Sequence, residues 1–523
     1  MIAGIDETAP SGSTYVDYCL QGLQRRGDGI AFTHGSTRWT GREAAAMVLR
    51  LSTVLRDRGV RPGVGVSVLS GNRPEAFFLV LASQLAGARH TGLHGMASVD
   101  DQAFVLNDSE AHTFIYDPRS YAERGEQLAR HASPTQVFSL GPGPVGEDLL
   151  ALAPSAEELD YPRPSPDAIA SLFYTGGTTG RSKGVVQTQA SSLFAALLAQ
   201  ANWEWTPAPT LLLASAITHA AGQLIGPTLA LGGRVVLLDT FDAGEFLQIV
   251  EREQVNATFL VPTMIYALLD HPEIDTFDTS SLTTVVYGAA PIAPARLREA
   301  LRRFGPVLVQ GYGQTESGVG ALLLSKQDHV TMSDRGNIPT GRPPAGIDVS
   351  VRDEFDQPVG VGVSGEICLR GSSVMSAYWK QPGLTLDVLH DGWLHTGDVG
   401  VQDQAGYVTL LDRKKDLIIS GGFNVYPREV EDVLTSHPLV RRAAVVGIPD
   451  PKWGEAVHAL VVLVPGGHLE PAELIALVRD KKGPVCAPKS IECVQTLPET
   501  SLGKIDKAGI RQRYWSDQAR AIH

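Results

Sequence analysis

Residues 174–186 read YTGGTTGRSKGVV, and the stretch that leads into them, IASLFY (169–174), has the apolar and aromatic character of a buried strand. A strand that empties into Gly, Thr and one Lys is suited to holding an anion. Glycine lets the backbone approach an anion closely, and successive N–H groups form a concave anion site. Thr175, Thr178 and Thr179 add hydroxyls around Gly177, and Lys183 adds a positive charge. The segment therefore reads as a phosphate-binding loop. It is not a Walker A loop: Lys183 follows Ser182 and precedes Gly184, where that motif requires Gly-Lys-Ser/Thr.

Outward from this loop, apolar strands alternate with helical patterns. Residues 41–58 have helical apolar spacing, 64–69 form a short apolar run, and 75–86 are helical again after the turn Gly71-Asn72-Arg73-Pro74. The rhythm returns at 235–238 and 243–253, at 257–262 and 263–270, and at 283–288 and 294–303. Such alternation predicts an α/β fold with parallel sheets covered on both faces. Beyond about residue 345 the pattern changes. IDVSVRD (347–353) and GEICLRG (365–371) predict a small antiparallel β region. After residue 413 a helix (427–436), strands (443–447, 457–464), a helix (471–480) and a strand near 491–495 predict a separate α+β module. The expected division is a large N-terminal domain, residues 1–412, of parallel and mixed sheets flanked by helices, and a small mobile C-terminal domain, residues 413–523.

A chain of 523 residues, 43% hydrophobic and 19% charged, has the length and composition of a globular protein with more than one core. The formal net charge of −13 argues against a nucleic-acid partner, which needs clustered Lys and Arg. Cys19, Cys368, Cys486 and Cys493 form no CxxC pair, so a reducing cytoplasm is the expected location. No signal peptide and no membrane span are predicted.

The loop at 174–186 resembles the signature TSGTTGxPKG segment of the adenylate-forming enzymes: acyl- and aryl-CoA synthetases, the adenylation domains of peptide synthetases, and luciferases. Gly176, Ser182 and Gln189 depart from the usual pattern, and Lys183 is kept. Further segments resemble the family's motifs in the family's order. In QGYGQTE (310–316), Tyr312 would face adenine, Thr315 would meet phosphate, and Glu316 would hold Mg²⁺, a cation that prefers hard oxygen ligands. GAAP (288–291), with Gly288, Ala289 and Ala290, resembles the small-residue turn beside the adenine and acyl sites. WLHTGD (393–398) and DRKKD (412–416) imply that Asp398 and Arg413 contact the ribose. LPETSLGKID (497–506) implies that Lys504 reaches the substrate carboxylate and the α-phosphate, offsetting charge where two anions meet.

The resemblance implies two half-reactions. A carboxylic acid and MgATP give acyl-AMP and pyrophosphate; CoA then takes the acyl group and AMP leaves. Between them the small domain is expected to turn about Lys415, bringing SGGFNVYP (420–427) to the active site with Gly421 and Gly422 lining a pantetheine tunnel. The loop SAITHAAG (215–222) falls where the family walls its acyl site. His219 is expected to gate or line that pocket, with Ala220, Gly222, Gly311 and Gly318 leaving room for a bulky apolar acid. THAAG lacks the Asp with which peptide-synthetase domains hold an amino group, and Asp242 is read as a helix N-cap, so an α-amino acid is not expected. Free CoA is preferred over a carrier-protein thiol. A non-catalytic sensor is disfavoured because Lys504, Glu316 and Asp398 are all present. The particular acid, the CoA nucleotide site and the oligomeric state, a homodimer included, stay open.

Overall fold

The alternating strands and helices close into two eight-stranded sheets in the computed structural model, which describes residues 13–132, 134–153, 163–175, 182–332, 338–420, 423–499 and 505–515. In one sheet, six parallel strands run from Leu308–Tyr312 through Thr284–Gly288, Ala257–Leu260, Thr210–Leu213 and Arg234–Leu237 to Ile30–His34. Antiparallel strands Leu322–Leu324 and Thr37–Thr40 close its two edges. The other sheet carries Ile169–Thr175 beside five parallel neighbours, and then turns antiparallel through Lys183–Thr188 and Ala377–Tyr378.

Local chemistry explains where the elements start. Thr40 and Glu43 form a reciprocal capping box at Gly41–Asp57, satisfying two N–H groups that the helix leaves unpaired. Asp242 accepts from Glu245 N and caps Ala243–Glu253, as its sequence position predicts. The strand Gly65–Leu69 is buried along its whole length, which its continuous apolar run requires. The main core lies between the first helices and the two sheets, around Leu51, Phe78, Leu81, Trp203 and Leu229.

The expected antiparallel region is a third sheet of five strands, in which Ile347–Arg352, Gly365–Gly371, Trp393–Gln402 and Leu389–His390 follow one another and Val408–Arg413 pairs Trp393–Gln402. A fourth sheet begins at Ile418 and carries the C-terminal helices Pro427–Thr435, Pro471–Lys482 and Lys507–Trp515. Its central hairpin, Val440–Asp450 with Gly454–Leu463, is longer than the two predicted strands. No described helix is long and apolar enough to cross a membrane.

Candidate active site

Thr175 ends its strand directly opposite Lys183 in the antiparallel pair Ile169–Thr175 and Lys183–Thr188. The loop between them was expected to cradle phosphate. Its residues Gly177, Thr178 and Thr179 lie outside the described residues, as do Gly421, Gly422 and Lys504. Lys183 itself is placed: its Nζ lies 5.4 Å from the centre of the Tyr378 ring. Tyr378 stands next to it because Ala377–Tyr378 pairs with the Lys183 strand, Tyr378 opposite Val185.

The Tyr378 hydroxyl donates to Glu316 Oε1 at 2.8 Å. Glu316 is also held through its backbone, whose carbonyl accepts from Met375 N at 2.7 Å. No described residue donates to Oε2, so one hard carboxylate oxygen is left for a cation, which fits the Mg²⁺ assignment. Next to Glu316, the Thr315 carbonyl accepts from Gln187 Nε2 at 3.1 Å, which ties the motif to the Lys183 strand. Burial and the Glu316 carboxylate together push the Tyr378 phenol well above its ordinary range, so it acts as a donor throughout the working pH range.

Asp398 forms the other end of the site. It is 3% exposed. Its Oδ2 accepts from Tyr312 Oη at 2.7 Å and Gln314 Nε2 at 2.8 Å, and Arg413 Nε lies 3.2 Å from Oδ1. Arg413 reaches it because the two residues face each other in the third sheet. A carboxylate offers about four acceptor sites. Three are taken by this chain, which leaves about one for a ribose hydroxyl, the partner that the family resemblance implies for Asp398. Tyr312 likewise spends its hydroxyl on Asp398, and burial holds its phenol far above the usual range.

Gly288 and Gly311 are register partners at the ends of adjacent parallel strands. A Cβ on Gly288 would lie 2.2 Å from the Gly311 carbonyl oxygen, so this glycine serves close strand packing. A Cβ on Gly222 would meet Ile217 O at 1.9 Å, so the close turn there also requires glycine. A Cβ on Gly311 would make only ordinary contacts, nothing nearer than 3.8 Å. Gly318 sits at φ 77°, which explains the glycine by backbone conformation. Ala289 adopts φ 65° without being glycine, and both it and Ala290 are exposed. A strained, exposed turn at a strand end is a place where function is to be sought.

His219 stacks edge-to-face on His94 with ring centres 4.8 Å apart, and its Nδ1 lies 2.8 Å from Thr218 Oγ1. Ala220 packs on the main core. Lys415 lies in the short 3₁₀ turn Lys414–Asp416, where burial holds its ammonium below the ordinary lysine value.

Motif reading missed Tyr378, Gln314, Gln187 and His94. Gln314 stands inside QGYGQTE and was passed over because its neighbours matched known roles. Tyr378 and Gln187 give no local signal; only strand pairing brings them to Glu316 and Thr315. A second group, Asp356, Cys368 and His395, has ligand atoms within 4.8 Å of one another on the third sheet. Arg352 already pairs with its one carboxylate, Asp356.

The sequence profile of the AMP-binding enzymes matches residues 21–379, and that of the AMP-binding enzyme C-terminal domain matches residues 429–504. The chain is 42% identical to the medium/long-chain-fatty-acid–CoA ligase FadD8 of Mycobacterium tuberculosis, over 93% of this chain and 88% of that protein. It is 38% identical to a feruloyl-CoA synthase of Amycolatopsis, over 92% of this chain and 96% of that protein. Among solved structures, the amide bond synthetase McbA of Marinactinospora thermotolerans superposes with a TM-score of 0.88 at 36% identity, covering 96% of this chain and 100% of that one. With the profile spanning most of its length and relatives this similar, the chain belongs to the AMP-binding enzyme family of adenylate-forming enzymes.

Proposed function

We propose that the chain is an ATP-dependent acid:CoA ligase acting on an apolar carboxylic acid. The carboxylate attacks the α-phosphorus of ATP, giving acyl-AMP and pyrophosphate; the CoA thiol then attacks the acyl carbonyl and AMP leaves. One observation supports this reading above the others. Contacts join Lys183, Tyr378 and Glu316 on one side and Gln314, Asp398 and Arg413 on the other, and the two sets meet in the single segment Gln314–Glu316, although the chain separates Lys183 from Arg413 by more than two hundred residues. A cation, a metal-competent carboxylate and a buried ribose-competent carboxylate in one line suit a nucleoside triphosphate.

The chain's own residues would work mainly by positioning and charge neutralisation. Lys183 and Thr175 face the outer phosphates, and Tyr378 keeps Glu316 turned toward them. Magnesium, when bound at Glu316, supplies further neutralisation of phosphate charge. Asp398 and Arg413 orient the ribose, and Lys504 offsets charge between carboxylate and phosphate. His219 and His94 wall the acyl site. The names of the two relatives, fatty-acyl and feruloyl ligases, favour an apolar acid without an amino group. The two units are residues 1–412 and 413–523, with Lys415 as the pivot of the second.

The test is pyrophosphate release by the purified protein with MgATP and a panel of fatty, aryl, amino and polycyclic acids, each with and without CoA. Acid-dependent release, with an acyl-CoA mass only when CoA is present, is expected. Release without thioester would move the acceptor to a carrier-protein thiol, or to an amine as the McbA likeness suggests. No release with any acid, combined with calorimetric ATP binding, would leave a sensor.

A further inference from the structure

The helix Pro427–Thr435 begins without a side-chain cap of its own, since Tyr426 at its N-cap makes no such hydrogen bond. Arg428 N donates instead to Asp412 Oδ2 at 2.8 Å. Asp412 comes from another part of the molecule. It lies on the strand Val408–Arg413, opposite Val399 in the third sheet, ahead of Lys415 in the chain. Its Oδ1 accepts from Arg413 N at 2.7 Å, and the residue is 7% exposed.

On the other side of Lys415 the small domain is tied to itself. Lys507 pairs with Glu431 at 2.8 Å. From the same C-terminal helix, Arg511 holds Asp416 Oδ1 at 2.6 Å and the Lys415 carbonyl at 2.9 Å. The helix that follows the Lys504 segment is thus fastened to the pivot and to the residue just after it. Asp412 alone of these acidic groups reaches across from the large domain. Burial pushes its carboxyl up, while the Lys507 charge and the two N–H donors draw it back. A carboxylate at a helix N-terminus also gains from the helix dipole.

We infer that Asp412 is a positioning residue: its carboxylate latches the small domain in the arrangement seen here, through the N-terminus of the Pro427–Thr435 helix, and releases when that domain turns about Lys415. The inference rests on the two-conformation ligase proposed above. Arg428 and Asp412 lie on opposite sides of the pivot, so a turn about it moves one against the other, and in the latch this motion parts the 2.8 Å hydrogen bond. After rotation the helix N–H has lost its cap. The latch therefore biases the two conformations by the worth of a cap, roughly threefold to thirtyfold in their ratio. A residue serving only the stability of the small domain would slow both half-reactions alike. A latch changes their ratio.

The experiment compares Asp412→Ala and the isosteric Asp412→Asn with the native enzyme. Acyl-AMP formation from acid and MgATP, and thioester formation from supplied acyl-AMP and CoA, are timed separately. In Asp412→Ala the ratio of the two rates should shift by at least threefold. The shift should be smaller in Asp412→Asn, which keeps an acceptor oxygen. Tryptic cleavage after Arg413, Lys414 and Lys415 should quicken in the same order. A ratio shifted less than threefold in Asp412→Ala, or a pivot no more cleavable than the native one, overturns the latch. If the native protein runs neither half-reaction, the ligase reading fails instead. The cleavage assay needs no substrate and still decides the latch.

Discussion

Tyr378→Phe removes one hydroxyl and leaves the ring under Lys183 in place. The deleted group donates to Glu316 Oε1 at 2.8 Å. Glu316 keeps its backbone anchor at Met375 N, so the change falls on the orientation of the carboxylate. A hydrogen bond to a charged group is worth about 1.5–3 kcal/mol, and each 1.36 kcal/mol is tenfold. Loss of a partner that orients a metal ligand costs roughly tenfold to a hundredfold in metal affinity or activity. The two routes agree. The Mg²⁺ concentration for half-maximal acyl-AMP formation should rise by about tenfold to a hundredfold. The acid dependence should be nearly unchanged, because Tyr378 is not assigned to the acyl pocket. Stability should fall by about 1 kcal/mol, a net hydrogen bond in a part-buried position. The assay is pyrophosphate release as a function of Mg²⁺ at fixed ATP, beside a thermal melt. An unchanged Mg²⁺ curve from a well-folded variant would show that Glu316 does not hold the metal or that Tyr378 does not orient it. Either outcome would break the central contact of the site.

Lys504→Ala should abolish acyl-AMP formation yet leave thioester formation from supplied acyl-AMP largely intact, whereas Lys415→Pro at the pivot should do the reverse; equal loss of both halves in either variant sinks the two-conformation account. Gly311→Val should lower kcat/KM for the longest or bulkiest accepted acid by at least about tenfold while sparing short ones, since an added side chain there meets only ordinary contacts. Gly288→Ala, forced against the Gly311 carbonyl, should cost about 1–3 kcal/mol of stability with no change in acid preference; a shift in preference without a loss of melting temperature contradicts that assignment. Burial holds the His90 imidazole down at about 4. The unfolded chain, with its histidine near 6.5, therefore binds this proton first, and the stability is complete above about pH 6.5 and lost as pH falls toward 4, at up to about 1.4 kcal/mol per pH unit. His90→Asn should flatten that limb between pH 6.5 and 5; an unchanged slope in denaturant melts rejects the cause.

Elements written into local sequence were legible, and those made by pairing were not. Ala243–Glu253 was read with its boundaries because Asp242 announces the start and the apolar spacing carries the rest. Pro74–Leu85, Pro294–Phe304 and Pro427–Thr435 each begin at a proline that suits a first helical turn, and were placed to within a residue or so. The antiparallel return at Lys183–Thr188 was not foreseen. A strand after a glycine-rich loop looks the same in sequence whether it pairs backward or runs on. Ile418–Ser420 and Phe423–Val425 are three residues each, too short for any period to show. Val440–Asp450 was read short because Arg441, Arg442 and Pro449 break its apolar run, yet the ladder with Gly454–Leu463 continues past them.

The same distinction runs through the site. Motifs supplied residue types and their places in the chain, which is how Glu316, Asp398 and Arg413 were singled out. What each oxygen does depends on partners far away in sequence, and those came only from the sheets: Tyr378 for Glu316, and Tyr312, Gln314 and Arg413 for Asp398. Small residues carry a second meaning for a related reason. A glycine in a motif looks like space, but a Cβ on Gly288 or Gly222 would strike a backbone carbonyl, whereas one on Gly311 would meet only ordinary contacts. The end of one strand shows what this tertiary view adds. Arg413 pairs with Asp398, Asp412 caps the small-domain helix, and Lys415 follows two residues later in the turn held by Arg511. A ligand that draws Asp398 away from Arg413 acts on the residue next to the latch and two before the pivot. If Asp398 holds the nucleotide and Lys415 is the pivot, as proposed, nucleotide occupancy and domain placement have a short covalent path between them, through three consecutive peptide units at 412–415.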